Sequence, residues 1–188
     1  MVNVAILGFG TVGSGVAEVL AKNGEHIDQK VETPVRLKYI LDVRDFPESP
    51  FQDKIIHDFS TIENDKSVDI VVETIGGATV ALDYTRRALR AGKSVVSSNK
   101  ELVAERGYEL IQLASQMGVS YLFEASVGGG IPILRPLSQC LAANEIEEIT
   151  GIVNGTTNYM LTKTINYASV LLKRYYAYSP KRNFRQRM

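Results

Sequence analysis

The feature that most constrains the fold is a glycine-rich turn between an apolar segment and an amphipathic one. Residues 2–7 read VNVAIL, a short apolar run typical of a buried parallel strand. Residues 8–13 read GFGTVG and match the pattern G-x-G-x-x-G. Apolar residues then recur at helical spacing as far as Lys22, and Asn23-Gly24 predicts the end of that helix. Strand, glycine turn and helix in this order open a βαβ unit and indicate a parallel sheet.

Strands and helices continue to alternate over the first 125 residues. Further strands are predicted at residues 35–41, 68–72, 94–96 and 120–123. Long helices are predicted over residues 79–91 and 101–117, and residues 42–60 are predicted to form a loop. Strands that alternate with helices of this length predict an α/β fold of the Rossmann type, a doubly wound parallel sheet with helices on both faces.

The chain divides into three predicted regions. Residues 1–125 are predicted to form the nucleotide-binding domain. Residues 126–165 are interpreted as the incomplete start of a second, α+β domain, because forty residues cannot bury a self-sufficient core. Residues 166–188 form a divergent basic tail that is predicted to be disordered.

The second region has its own predicted elements. A glycine loop leads into a helix from Pro132 to Ala143. A strand is predicted over residues 146–153 and a helix over residues 156–165. The turn segment 154–157, where this strand passes into this helix, is interpreted locally as a helix cap.

Composition excludes several classes of protein. The 188 residues carry 21 basic and 21 acidic side chains, but residues 166–188 hold six basic ones and no acidic one. Residues 1–165 are therefore acidic, which argues against a nucleic-acid groove. No apolar run approaches the ~20 residues that cross a bilayer, so a membrane protein is not expected. The single cysteine, Cys140, excludes an internal disulfide framework, and we expect a reducing, cytoplasmic location.

The glycine turn is a candidate pyrophosphate site. Gly8 permits the tight turn, Gly10 allows the backbone to approach a phosphate, and Gly13 allows the helix to pack on the strand. The free N–H groups at the helix N-terminus attract anions. The candidate dinucleotide contacts in this turn are Gly8, Phe9, Gly10, Thr11, Val12 and Gly13. An ordinary glycine-rich turn without a ligand is the alternative.

Two charged residues after the second strand bear on the choice between NAD and NADP. Asp42 could accept hydrogen bonds from a ribose hydroxyl, as in NAD sites, whereas Arg44 could pair with the 2′-phosphate of NADP. Either side chain could instead be a solvated loop charge. We favour NADP as the cofactor and keep NAD as the alternative, with Lys54 as a further phosphate contact or simply a surface lysine.

Five segments carry a resemblance to a known family. They are VAILGFGTVGSGV (4–16), DIVVETIGG (69–77), VVSSNKELVA (95–104), EASVGGGIPILRPL (124–137) and GIVNGTTNYML (151–161). In this order the segments resemble homoserine dehydrogenase. The resemblance implies NAD(P)-dependent interconversion of L-homoserine and L-aspartate 4-semialdehyde, in threonine and methionine biosynthesis. It also implies a homodimer, which we doubt for this chain because the dimerising part is mostly missing.

Two residues that follow strands are further candidates, Lys100 through the resemblance and Thr74 through its place at the carboxyl end of a strand. Lys100 matches the lysine that lies beside nicotinamide and substrate, and it is the candidate catalytic residue. Ser98 and Glu101 predict a capping box that puts Lys100 in the first turn of a helix, where the helix dipole could turn its charge toward a bound carbonyl. Thr74 follows a strand and is a candidate contact for the nicotinamide half. An exposed lysine and an ordinary turn are the alternatives.

A glycine-rich segment resembles the cation site of the family. The resemblance implies that Glu124 and the backbone carbonyls of Val127, Gly129 and Ile131 hold Na⁺. Oxygen ligands suit hard ions, and glycines allow carbonyls to converge. A hinge between domains is the alternative, and it is compatible with an ion.

The resemblance places segment 154–157 near the substrate, which is the alternative to a local helix cap. It stops after Lys163, shortly before the tail of residues 166–188. We interpret this as a truncated or frame-shifted chain; a genuine basic interaction tail is the alternative. Such a chain would keep the cofactor half and show little or no turnover, because hydride transfer requires a substrate held against the nicotinamide. A non-catalytic NAD(P)-binding module and another Rossmann-fold amino-acid dehydrogenase are the competing functions. A semialdehyde dehydrogenase needs a catalytic cysteine, and Cys140 is expected to be inert core.

Overall fold

Six parallel strands form one sheet in the computed structural model, which describes residues 1–151 and 158–167. The strands are β1 (Val2–Leu7), β2 (Val35–Leu41), β3 (Ile55–Ile56), β4 (Val68–Glu73), β5 (Ser94–Ser97) and β6 (Tyr121–Leu122). Their order across the sheet is β3-β2-β1-β4-β5-β6, and every neighbouring pair is parallel. The strand order reverses between β1 and β4, which creates the crevice where such sheets bind ligands. The predicted α/β, Rossmann-type, doubly wound sheet is confirmed.

Within residues 1–143, six α-helices connect or follow the strands. They are α1 (Thr11–Lys22), α2 (Gly24–Val31), α3 (Ser60–Asn64), α4 (Thr79–Arg90), α5 (Lys100–Met117) and α6 (Ala125–Gly128). Gly92 and Gly118 follow α4 and α5 with φ of +76° and +68°, the left-handed conformation in which glycine ends a helix without strain. The predicted ends of these two helices are therefore close to the observed ones.

The core lies on both faces of the sheet, as the doubly wound fold requires. Alternate residues of a strand point to opposite faces, so Leu7 and Ile6 enter different clusters. Leu7 packs with Leu89 of α4 and Leu110 of α5, and all three are fully buried. Ile6 packs with Ala17 of α1 on the other face.

Short elements were missing from the sequence-based prediction. Asn23 ends α1 as predicted, and it also begins α2, so the chain continues directly into a second helix. The predicted loop 42–60 contains a 3₁₀ turn at Gln52–Lys54 and the two-residue strand β3, which extends the sheet beside β2. A two-residue strand is too short to show any periodicity.

The segment after β6 is less regular than predicted. The predicted helix Pro132–Ala143 is helical only over residues 134–140, with a π-helical turn at Pro136–Cys140. Cys140 is exposed rather than part of the core.

The chain forms two compact units, Met1–Ala143 and Asn144–Met188. In the second unit, residues 144–151 contain no strand. The predicted strand 146–153 is therefore wrong over residues 146–151. A helix covers residues 158–167, where a helix over 156–165 was predicted. The turn segment 154–157 and most of the predicted tail lie outside the described residues. None of the helices in the described part of the chain is both long and apolar enough to cross a membrane.

Candidate dinucleotide site

A cavity of about 480 Å³ opens at the carboxyl ends of β1, β2 and β4. It lies at the reversal of strand order, where open α/β sheets bind their ligands. Gly8 and Gly10 contribute one wall, Asp42 and Arg44 a second, and Thr74 a third. The structure therefore brings together candidate residues that the sequence places in three separate segments.

The tight turn after β1 depends on Gly8. This residue has φ of +90°, a backbone conformation that residues other than glycine rarely adopt. Its N–H donates a hydrogen bond of 2.8 Å to the carbonyl oxygen of Leu41, at the end of β2. The turn is thereby fixed to the neighbouring strand on one side.

Thr74 fixes the same turn from the other side. Its N–H donates to the carbonyl oxygen of Leu7 at 2.9 Å. Its hydroxyl lies 2.9 Å from the carbonyl oxygens of both Leu7 and Gly8 and donates its proton to them. Thr74 thus holds the glycine turn in place and also lines the cavity.

The start of α1 packs directly on the turn, and Gly13 makes this possible. A Cβ atom at Gly13 would lie 1.9 Å from the carbonyl oxygen of Gly8 and 2.9 Å from the Thr74 hydroxyl. By contrast, a Cβ atom at Gly10 would meet no protein atom within 4 Å. Gly13 is therefore required for packing, and the backbone at Gly10 is open to the cavity.

The N-terminus of α1 has no cap of its own. No side chain accepts a hydrogen bond from its first turn, and that turn holds no acidic residue. The first N–H groups of a helix need partners, and the helix dipole favours an anion there. The exposed residues Thr11 and Val12 form this turn beside Gly10, which lines the cavity. The arrangement suits a phosphate group.

Phe9 contributes to the turn rather than to the open cavity. Its ring is 7% exposed and packs edge-on against Phe46, with 5.0 Å between ring centroids. Its N–H donates a 2.7 Å hydrogen bond to Oδ2 of Asp42. The amide of Phe9 is therefore already used within the protein.

Asp42 and Arg44 form one paired unit at the end of β2. Oδ1 of Asp42 accepts from Nε of Arg44 at 3.0 Å and from its backbone N–H at 3.0 Å, while Oδ2 accepts from Nη2 at 3.1 Å. Burial raises the pKa of the Asp42 carboxyl, but the hydrogen bonds from Arg44 and from Phe9 outweigh it and hold that pKa at about 2. Arg44 itself stays 61% exposed and lies over the ring of Phe46.

Sequence reasoning missed other residues that line the cavity. Val80 and Tyr84 come from α4, and His57 follows β3. Nδ1 of His57 lies 2.7 Å from the carbonyl oxygen of Asp42, and Nε2 lies 3.1 Å from the carboxylate of Asp45. Because β3 is too short to predict, the sequence gives no signal that His57 returns to this crevice.

Lys100 is the first residue of α5 and is exposed. The predicted capping box of Ser98 and Glu101 is wrong, because the cap is Asn99, whose Oδ1 accepts from the N–H of Leu102 at 3.0 Å. The helix begins one residue later than that box requires, and Lys100 still falls in its first turn. Lys100 is not part of the cavity wall.

Glu124 is held by backbone N–H groups. Its carboxylate accepts from the amides of Ile133, Leu134 and Arg135 at 2.5, 2.8 and 2.9 Å. These amides, with that of Ile133 first, lower the pKa of Glu124. Within the described residues no cluster of three or more His, Cys, Asp or Glu side chains could hold a metal ion.

Three of the predicted Na⁺ ligands are backbone carbonyls of this segment. Local backbone N–H groups donate to the carbonyl oxygens of Phe123, Glu124, Gly128 and Ile133. The carbonyls of the predicted ligands Val127, Gly129 and Ile131 are not among these acceptors. The Na⁺ site stays a prediction, and the carboxylate of Glu124 is already bound by three backbone amides.

The strand order, the glycine turn and the uncapped helix define a dinucleotide-binding domain of the Rossmann class. The family model for the NAD-binding domain of homoserine dehydrogenase matches residues 8–124, and the model for homoserine dehydrogenase itself matches residues 132–174. The chain belongs to the homoserine dehydrogenase family. It therefore resembles an oxidoreductase that uses a nicotinamide cofactor.

Individual relatives agree with the family models. The chain is 41% identical to homoserine dehydrogenase of Bacillus subtilis over 172 residues, which are 89% of this chain and 40% of the relative. It is 39% identical to the enzyme of Neisseria gonorrhoeae over 168 residues, 86% of this chain and 38% of the relative. The crystal structure of homoserine dehydrogenase from Thiobacillus denitrificans matches with a TM-score of 0.82 and 34% identity, over 94% of this chain and 42% of that one. The chain thus spans about 40% of the length of these relatives.

Proposed function

We propose that this chain is the cofactor-binding half of a homoserine dehydrogenase and that it binds NADP in preference to NAD. In this proposal residues 1–125 bind the cofactor and residues 126–165 begin the substrate domain. The observation that carries the proposal is the uncapped N-terminus of α1, which adjoins a cavity through a turn held open by Gly8 and Gly13. The oxygen atoms of the dinucleotide's pyrophosphate would accept hydrogen bonds from the free N–H groups of this turn.

The preference for NADP follows from the pairing of Asp42 with Arg44. The Asp42 carboxylate already accepts four hydrogen bonds, from Phe9 and Arg44, so a ribose diol would have to displace one of these donors. The Asp42 carboxylate binds one edge of the guanidinium, through Nε and Nη2. Nη1 of the exposed Arg44 side chain is left to donate to a 2′-phosphate.

The reaction that the family implies is the interconversion of L-homoserine and L-aspartate 4-semialdehyde. The bound nicotinamide supplies or accepts the hydride. Thr74 would hold the glycine turn beside the nicotinamide half, and Lys100 would orient the substrate carbonyl from the first turn of α5. In the family, further substrate contacts come from the part of the relatives that these 188 residues do not match, since the match spans about 40% of the relatives' length. We therefore expect cofactor binding with little or no turnover.

We include a Na⁺ site in the proposal. Glu124 and the carbonyls of Val127, Gly129 and Ile131 would hold the ion, and its role would be to shape the segment after β6. We also propose a cytoplasmic location, which the single cysteine of the sequence favours. A homodimer is implied by the family alone, and we do not propose it for this chain.

The test is equilibrium titration of the purified 188-residue chain with NADPH and with NADH, together with an assay of L-homoserine oxidation. Saturable binding of NADPH, tighter than that of NADH, and negligible turnover are expected. No saturable response to either nucleotide would refute the proposal. Turnover close to that of a full-length relative would refute the expectation of an inactive chain.

A further inference from the structure

Four residues at the carboxyl ends of β4 and β5 close a ring of hydrogen bonds. We call it the Glu73 ring, and its members are Glu73, Ile75, Ser97 and Asn99. Oε1 of Glu73 accepts from the N–H of Ile75 at 2.8 Å, and Oε2 accepts from the hydroxyl of Ser97 at 2.5 Å. The Ser97 oxygen accepts from the N–H of Asn99 at 3.1 Å, and Nδ2 of Asn99 donates to the carbonyl oxygen of Ile75 at 3.0 Å.

Ile75 enters the Glu73 ring through its backbone, and the three side chains that take part are polar and buried. Glu73 and Ser97 are fully buried, and Asn99 is 8% exposed. Buried polar groups are costly unless they are paired, and a paired network fixes the backbone segments that it joins. The ring joins the segment after β4 to the segment after β5. Capping α5 requires only the bond from the N–H of Leu102 to Asn99, so the other hydrogen bonds of the ring serve a different purpose.

Asn99 performs two separable tasks in this ring. Its Oδ1 caps α5 through the N–H of Leu102, and its Nδ2 donates to the carbonyl oxygens of Ile75 and Gly77, at 3.0 and 2.7 Å. Gly77 has φ of +78°, so the loop that Asn99 holds is sharply bent. A cap needs only the oxygen, because the acceptor satisfies the free N–H of the helix. The two donor bonds serve the loop.

The loop that Asn99 holds is part of the dinucleotide cavity. Thr74, Ile75 and Gly76 line the cavity, and Lys100 directly follows Asn99 in the chain. One side chain therefore links the cavity wall on β4 to the first turn of α5. A movement of either segment would change the distance between the wall and Lys100.

We infer that Asn99 is a positioning residue, which through its Nδ2 group sets the loop of residues 75–77 against Lys100 and so prepares the place of the nicotinamide ring. This inference rests on the proposed function, because it assigns the β4 side of the cavity to the nicotinamide half. The adenosine half would bind at Arg44, on the β2 side, and would not depend on Asn99. The inference thus predicts that the two halves of the cofactor respond differently to a change at position 99.

The experiment compares two ligands on the 188-residue chain. NADPH contains both halves, whereas adenosine 2′,5′-bisphosphate contains only the adenosine half with its 2′-phosphate. Asn99→Asp keeps an oxygen that caps α5 but loses both Nδ2 donors, and Asn99→Ser does the same without adding a charge. The matched control is Asn23→Asp, the same change at the exposed N-cap of α2, which lies outside the cavity.

With the loop released, a smaller fraction of the molecules presents the binding-competent wall, and the apparent affinity falls by that fraction. We expect the affinity for NADPH to fall roughly tenfold in both Asn99 variants, the loss that follows when two ordinary hydrogen bonds no longer hold the loop. The affinity for adenosine 2′,5′-bisphosphate should change less than about twofold. The increase in nicotinamide fluorescence on binding should also decrease, and Asn23→Asp should behave as the wild type.

The outcomes separate the inference from the proposed function. If the wild-type chain binds neither ligand, the proposed function is wrong and the inference falls with it. If the wild type binds both and the Asn99 variants lose affinity for both equally, Asn99 is a structural residue only. If the variants lose affinity for neither, the loop does not need the two bonds. If Asn99→Asp does not fold, which thermal unfolding reports, Asn99→Ser gives the same comparison.

Discussion

The guanidinium of Arg44 is paired with the carboxylate of Asp42 two residues earlier, at 3.0 Å from Nε to Oδ1 and 3.1 Å from Nη2 to Oδ2. The sequence presents these residues as opposing indications, one for NAD and one for NADP. In the structure they form a single unit, because the carboxylate of Asp42 accepts hydrogen bonds from the Arg44 side chain and so orients it. Only the base remains exposed to a ligand.

Replacing Arg44 should therefore alter the choice of cofactor. In Arg44→Ala we expect the affinity for NADPH to fall about 10–100-fold, because charged hydrogen bonds to a phosphate contribute about 1.5–3 kcal/mol. The affinity for NADH should change less than about threefold. Fluorescence titration with both nucleotides measures the ratio. Arg36→Ala is the control, because Arg36 is an exposed arginine of β2 that is likewise paired with an aspartate, Asp28 of α2. Equal losses for NADPH and NADH would contradict the role of Arg44.

The low pKa of Asp42 predicts a loss of stability in acid. The folded-state pKa of about 2 lies below the ordinary value of 3.8, so the ionised group stabilises the fold above pH 3.8. That contribution disappears as the pH falls toward 2. The stability difference between wild type and Asp42→Asn, measured from urea midpoints, should therefore shrink between about pH 5 and the lowest pH at which the chain folds. Asp53→Asn, at a side chain that is 72% exposed, should show a much weaker trend. If the stability difference between the two chains instead grows as the pH falls, the pKa of Asp42 is not lowered by folding.

Long, periodic elements of the fold could be predicted from the sequence, and short ones could not. The bounds of β2 and α1 agree with the prediction, because an apolar run and a helical period each give a clear pattern. The strand β3 was missed because two residues have no period, and α2 because Asn23-Gly24 ends one helix and begins another.

The part of the candidate site that could be predicted from the sequence is the turn in which only glycine fits. The turn of Gly8 and Gly13 has a local pattern, and its geometry follows from that pattern. Partners that meet only through the sheet had no such signal. His57 reaches the cavity from a strand that could not be predicted. Asn99, not Ser98, caps α5, and its Nδ2 also bonds across to the neighbouring loop.

Two glycines of α1 should respond in opposite ways to the same substitution. In Gly13→Ala the new methyl group would lie 1.9 Å from the carbonyl oxygen of Gly8, so the turn must move. We expect a cost of at least about 1–3 kcal/mol and loss of NADPH binding. In Gly15→Ala the methyl group meets no atom within 4 Å, and alanine should stabilise the helix by about 0.5–1 kcal/mol. Thermal unfolding and NADPH titration of both variants provide the comparison. A stable Gly13→Ala chain that binds NADPH normally would contradict the geometry of the turn.

The buried carboxyl of Glu73 should produce the opposite pH dependence to Asp42. Burial raises its pKa above the ordinary value of 4.5, and the hydrogen bonds from Ser97 and Ile75 only partly oppose this. A raised pKa means that the folded state binds the proton more tightly than the unfolded state. The resulting stability is fully present below pH 4.5 and is lost as the pH rises through the folded-state value.

Glu73→Gln isolates this effect, because the amide is neutral at every pH and similar in shape. We expect the wild type to gain stability relative to Glu73→Gln as the pH is lowered from 8 toward 4.5, when urea midpoints of the two chains are compared. Glu105→Gln, at an exposed position of α5, controls for the general loss of one carboxylate. If the wild type instead loses stability relative to Glu73→Gln over this range, Glu73 is better stabilised as an anion than as an acid. The hydrogen bonds of the Glu73 ring would then outweigh the cost of its burial.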